Sequence, residues 1–227
     1  MRPYLAQPGF RWTCQGERTF RFCDPPGLES SQAAVRRDTW QSLAATLRLA
    51  GESNYTSEPL IYIFRLESVA RLRKLLHVSA YGASEPKAHA VFFVSGHPEA
   101  LAHELNHEIL TTLWGPAEPW IAEGFAAYAA GLDVDSQCRA LLASHGYLPL
   151  PNLVNPNWNA SLYPSTKIYP ELGSFVKYLR ETRGLARLRK LWHLGYRSIA
   201  QVYGEPLSRL ETEWRASLDR PSVAARP

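Results

Sequence analysis

The 227-residue sequence predicts an α+β fold, with a small mixed sheet and packed helices in residues 1–97 and a mostly helical half over residues 98–227. Three observations lead there. Short, β-rich apolar runs closed by turn residues occur only before Pro98, whereas helical periodicity dominates after it. The chain is 45% apolar and 11% aromatic, which supplies the area for a packed core and excludes global disorder.

Taken in order, the segment 17–23 alternates as a strand and stops at Asp24-Pro25-Pro26-Gly27. Ser30 or Ser31 then caps a helix reaching about Ala50, with Ala34, Trp40, Leu43, Ala44 and Leu47 along one side. A second apolar run, Leu60 to Phe64, precedes a helical pattern from Glu67 to His77. The third strand is His89 to Val94, closed by Ser95-Gly96-His97-Pro98. Pro98 suits a first helical turn, and the helix it opens ends at Trp114 before Gly115-Pro116. Further helices are expected from Pro119 to Gly131 and from Ser136 to Ser144. After an irregular Pro- and Asn-rich connection over 147–167, they resume over 171–182, 185–194 and 206–218.

Composition narrows the function classes. No apolar run reaches the 18 or so residues that span a bilayer; the longest candidate, Trp120 to Leu132, is interrupted by Glu123. The first residues contain Pro3, Gln7, Pro8 and Arg11, so no signal-like apolar run is expected there, which fits a cytosolic chain or one whose leader precedes this numbering. The three cysteines allow one disulfide at most; Cys14 and Cys23 can pair or stay free. Asn54-Tyr55-Thr56 and Asn159-Ala160-Ser161 match the glycosylation acceptor pattern, one that arises often by chance. Although the net charge of +4 is concentrated in the last quarter, those cations alternate with Leu and Trp at helical spacing. That is the solvated side of amphipathic helices, and no nucleic-acid partner is expected.

The chemistry-bearing segment is His103-Glu104-Leu105-Asn106-His107. Four helical residues turn the chain through about 400° and advance it about 6 Å, so both imidazoles lie on one face and can share a metal ion. Glu104 is turned about 100° from His103, where a carboxylate can take a proton from water at the metal. A catalytic zinc needs a third ligand and an open position. The metzincin completion is excluded, because its Gly and third His would fall on Leu110 and Leu113. Glu123 is the best third ligand, on a helix whose Gly124, Ala126, Ala127 and Ala130 permit close helix approach; Glu118 and Glu108 compete less well. His77, His89, His97 and His145 stand alone, and Trp114, Trp120, Trp192 and Trp214 are assigned to core.

With Pro119-Trp120-Ile121-x-Glu123-Gly124-x-Ala126-x-Tyr128 downstream of the paired histidines, the chain resembles the gluzincin zinc metallopeptidases, specifically compact bacterial peptidase MA-like domains. The segments Tyr169-x-x-x-Gly173-Ser174-Phe175-Val176-x-Tyr178-Leu179 and Tyr203-Gly204-x-Pro206-Leu207 through Trp214 are similar to their helical tail, so the resemblance covers about residues 58–218. It implies one zinc ion and a peptide or protein substrate held by the edge strand of the sheet, here His89 to Val94. It also implies an oxyanion donor, Tyr169, with Tyr163 and His193 as alternatives. It favours the envelope or exterior of a bacterium. Two departures stand out. Large aminopeptidases of the clan carry a Gly-x-Met-Glu-Asn exopeptidase motif, yet the only Met is Met1, and the Asp of the thermolysin-like pattern is replaced by Ala127.

The expected function is therefore hydrolysis of internal peptide bonds, that of an endopeptidase, by a single domain over 1–227, with His103, His107 and Glu123 on zinc and Glu104 and Tyr169 catalytic. The alternative is a gluzincin-like module that has lost catalysis and binds a peptide or partner; the intact Glu104 argues against it.

Overall fold

A computed structural model describes residues 2–16, 19–56, 60–144, 146–154 and 165–219. His145, Tyr163 and Asn159-Ala160-Ser161 lie outside the described residues. The chain divides into two compact units, Met1–Gly115 and Pro116–Pro227.

The first unit opens with a short helix α1 (Arg2–Leu5), then β1 (Thr13–Gly16), β2 (Phe20–Asp24), α2 (Gln32–Ala50), β3 (Ile61–Leu66), α3 (Val69–Leu76), β4 (Gly82–Glu85), β5 (Ala90–Val94) and α4 (Pro98–Trp114). The five strands form one mixed sheet in the order β1-β2-β3-β5-β4. The pairs β2–β3 and β3–β5 are parallel; the outer pairs β1–β2 and β4–β5 are antiparallel. This α+β layout agrees with the expected one. It corrects one expectation, however: His89 to Val94 is no edge strand, because β5 lies between β3 and β4, and the edge is β4.

Successive side chains of a strand face opposite ways, and the two faces meet different helices. Phe20, Phe22, Ile61, Ile63, Val91 and Phe93 pack with Val35 and Leu43 of α2 and Leu101, Leu105 and Ile109 of α4. On the other face Phe64, Leu66, Phe92 and Val94 pack with Leu72 and Leu75 of α3. Burial of both faces explains why β3 and β5 are almost continuously apolar.

One group of buried polar side chains in this unit forms a matched set. Arg65 Nε donates to Asp24 Oδ1 at 2.8 Å, and both side chains are buried. Gln32 Nε2 donates to Asp24 Oδ2 at 2.7 Å, and the remaining guanidinium nitrogens reach Ser31 Oγ and the Leu28 carbonyl. Breaking such a buried pair by removing one partner costs about 3–5 kcal/mol, because the other charge is left without compensation. A disulfide joins Cys14 to Cys23 directly across the β1–β2 ladder, which settles the pairing the sequence left open.

The second unit is helical: α5 (Pro119–Ala129), α6 (Val134–Ala143), α7 (Leu150–Leu153), α8 (Ser165–Tyr178), α9 (Leu185–Leu194), α10 (Ile199–Tyr203) and α11 (Leu207–Leu218). Its centre is the pairing of α5 with α8. A methyl group on Gly124 would lie 2.7 Å from the Leu172 carbonyl oxygen and 2.6 Å from Val176 Cγ2. Small residues of α5 thus admit the backbone of α8, a use of this face that sequence periodicity alone leaves unspecified. Buried Glu171 on α8 accepts the Leu148 amide with both carboxylate oxygens at 3.1 Å, and Glu211 accepts the Leu150 amide at 3.2 Å, so two carboxylates anchor the connection leading into α7.

The remaining cysteine, Cys138, is buried on α6, and burial pushes its thiol up to about 12. Thiolate is the reactive form. We therefore expect no reaction of native, unreduced protein with a thiol reagent at pH 8 and one modified thiol per chain after unfolding, read by mass spectrometry; two or more would disprove the assigned pairing.

Candidate metal centre

The helix α4 carries the paired histidines. Pro98 occupies its first turn, where the missing amide proton costs nothing, and Gly115 with φ 79° ends it ahead of Pro116. Its inner face is anchored by Leu101, Leu105 and Ile109. Between the histidines, buried Asn106 accepts from Thr46 Oγ1 at 2.6 Å and donates to the Ala102 carbonyl at 2.7 Å, which ties α4 to α2 at the level of the site.

His103 Nε2 and His107 Nε2 stand 3.1 Å apart, with the rings at 76° to one another. Two nitrogens bound tetrahedrally to zinc at 2.0–2.1 Å are separated by about 3.3 Å, so these imidazoles already present their ε nitrogens at the spacing of a shared ion. A neutral N–H donated to its neighbour also accounts for 3.1 Å, and it is the same convergence that a metal replaces. The donor set suits zinc, which takes imidazole readily.

Glu104 lies beside the sheet. A methyl group built on Gly82 of β4 would lie 2.7 Å from Glu104 Cγ and 3.1 Å from its Oε1, so the carboxylate side chain rests directly on the strand backbone. Only glycine leaves room for that approach. One turn further on, Glu108 shares the side of α4 occupied by Glu104, and its Oε1 lies 2.8 Å from His89 Nδ1. Glu108 is 1% exposed, and Oε2 has no hydrogen-bond partner among the described residues. Burial raises its carboxyl to about 8. His89, expected to stand alone, is thus paired, and His97 Nδ1 likewise contacts Glu99 Oε1 at 2.9 Å while its ring stacks on Tyr81.

In the second unit, Glu123 lies half-buried on α5, and Tyr169 half-buried on α8. Glu118, a competitor for the third ligand, is committed within its own unit: Oε2 accepts from Trp120 Nε1 at 2.8 Å and from the Tyr196 amide at 2.7 Å. Glu108 is committed to His89. His193 is exposed on α9. The sequence reading overlooked Gly82 and the strand that carries it. A signal was present, since Gly82-Ala83-Ser84-Glu85 departs at one position from the first four residues of Gly-x-Met-Glu-Asn.

No known family model matches the sequence, and no curated protein matches it. Among solved structures it is similar to an M1 zinc metallopeptidase from Deinococcus radiodurans, with 17% identity and a TM-score of 0.52 over 92% of this chain. The chain spans about half of that protein, 51% of its length. The chain therefore shares the fold of a zinc metallopeptidase. No described helix is long and apolar enough to cross a membrane.

The raised Glu108 carboxyl has a signed consequence. Its uncharged form is favoured in the folded state, so its contribution to stability is complete below about 4.5 and is lost as pH rises through about 8. Glu108→Gln should melt within about 2 °C of the parent at pH 5 and at least about 3 °C above it at pH 9, by calorimetry in chelator-containing buffer; parallel curves would disprove the assignment.

Proposed function

We propose that the chain is a zinc-dependent metallopeptidase in which His103, His107 and Glu123 hold one ion. The observation that carries this reading is the convergence of the two histidine ε nitrogens on a helix whose next carboxylate, Glu104, is seated against the edge strand. Two imidazoles and the Glu123 carboxylate make a donor set able to hold a metal. Glu118 and Glu108 are engaged elsewhere, which favours Glu123 as the third member. Residues 1–227 are taken as one catalytic domain.

Bound zinc would supply a Lewis acid that polarises the scissile carbonyl and makes a water nucleophilic near neutral pH. Glu104 takes the proton of the attacking water and passes it to the leaving amine, a task for which its fixed position beside β4 suits it. The backbone of β4 offers an extended peptide a strand to pair with. Tyr169 is assigned as hydrogen-bond donor to the oxyanion, on the strength of the resemblance and of its half-buried place on α8.

One observation favours an amino-terminal mode of cleavage: the edge strand keeps the glycine and glutamate of the exopeptidase pattern as Gly82 and exposed Glu85, with Ser84 and Pro86 in place of its Met and Asn. A peptide mixture offered with free and with acetylated amino termini separates this mode from internal cleavage.

The decisive experiment combines metal analysis with that peptide mixture. We expect close to one zinc per chain, lost in His103→Ala, and a kcat lowered about 10²- to 10⁴-fold in Glu104→Gln with zinc retained. Folded protein without zinc would defeat the assignment; zinc without cleavage would leave a binding module. Gly82→Ala should keep fold and zinc yet lower kcat at least tenfold by displacing Glu104, and unchanged kcat would separate the carboxylate from its seat on β4.

A further inference from the structure

The connection from β4 to β5 is held at one residue. His89 follows a 3-10 turn over Pro86–Ala88 and adopts the left-handed conformation, φ 48° and ψ 51°, uncommon for a residue with a side chain. Its amide donates to the Pro86 carbonyl at 3.1 Å, and its own carbonyl accepts from the Tyr62 amide of β3 at 2.8 Å. The side chain is thereby aimed at α4, where Nδ1 meets Glu108 Oε1 at 2.8 Å. Glu108 is 1% exposed, and its Oε2 has no partner among the described residues, an arrangement that carries a cost and needs compensation.

The placement of that bond matters. Glu104 and Glu108 are four residues apart on α4 and face the same hairpin, Glu104 touching β4 at Gly82 and Glu108 touching the far end of the hairpin at His89. At the near end, Tyr81 stacks on His97 at 3.9 Å just before α4 begins, and the Tyr81 carbonyl accepts the Val94 amide. The hairpin is thus fixed to the helix on both sides of the Glu104 contact, whereas β4 itself is only four residues long and ends its sheet.

We infer that His89 and Glu108 are positioning residues whose hydrogen bond sets the register of the edge strand against Glu104, and hence the register in which an extended peptide meets the catalytic carboxylate. The inference rests on the proposed peptidase activity for its consequence in catalysis, though not for its effect on β4. Glu104 is fixed to its helix, and the β4–β5 hairpin, which moves as one paired unit over four registered positions, is held against that helix at its turn by His89. A shift would misalign long substrates, which pair with β4 along its length, and spare short ones that reach only the scissile bond.

The test uses the full chain with zinc and three variants. His89→Asn keeps a residue tolerant of the left-handed conformation but too short to reach Glu108; Glu108→Ala removes the partner; Glu108→Gln keeps an acceptor oxygen. For an eight-residue peptide we expect KM to rise at least fivefold in the first two with kcat within twofold, and both constants to stay within twofold in Glu108→Gln. A dipeptide amide, free or acetylated at its amino terminus to match the mode of cleavage found, should show no change in any variant. Amide hydrogen exchange over residues 82–85 should quicken at least tenfold in His89→Asn and Glu108→Ala while exchange in α4 stays constant. Unchanged exchange would overturn the inference whatever the kinetics, and equal losses on long and short substrates would reduce the pair to a structural contact. If the parent protein cleaves neither substrate, the peptidase reading fails and exchange alone decides whether the pair positions β4.

Discussion

The first unit is built around the approach of a glutamate side chain to the backbone of a strand. Glu104 leaves α4 and lies against Gly82, at a distance that any side chain on the strand would forbid. Much else follows from that contact. It places the Glu104 side chain against the end strand of the sheet. The apolar anchors Leu101, Leu105 and Ile109 set which side of α4 meets the sheet, and the missing methyl group on Gly82 lets the Glu104 side chain close on the strand.

Buried polar groups add a second layer of specification. Asp24, Arg65 and Gln32 satisfy one another and, with Ser31 and the Leu28 carbonyl, hold the segment between β2 and α2. Thr46 and Asn106 join α2 to α4 by a bond of 2.6 Å inside an otherwise apolar contact. Such bonds add little net stability, since water is lost in making them, but a shifted packing would leave each group unsatisfied. Glu118 does comparable work in the second unit, holding the Tyr196 amide against a glycine, Gly195, on which a methyl group would lie 2.5 Å from the carboxylate oxygen.

Much of this was legible from residue order. The runs Leu60 to Phe64 and His89 to Val94 announce strands because both faces are buried, and α4 is bracketed by proline and glycine at its ends. The spacing of His103 and His107 fixes their convergence, since helix geometry alone sets it. What stayed hidden is equally physical. β4 is Gly-Ala-Ser-Glu, devoid of the β-branched and aromatic residues that mark strands, and it is extended only because β5 pairs with it. Its omission transferred the edge to β5. His89 stood alone in the sequence because its partner is 19 residues away, a contact that no local periodicity encodes. The small residues of α5 were legible as a close-packing face, but not the identity of the helix they admit, which is α8.

The two ends of the sheet are finished in contrasting ways. At one, β1 is four residues long and covalently tied to β2 through Cys14 and Cys23. At the other, β4 is equally short, and the chain leaves it through Pro86, which has no amide proton to continue a ladder. Long open edges invite strands of neighbouring copies and seed fibres. A strip of four residues stopped by a proline offers too little length to nucleate a growing sheet between molecules, so this end of the sheet remains safe in a crowded solution of its own kind.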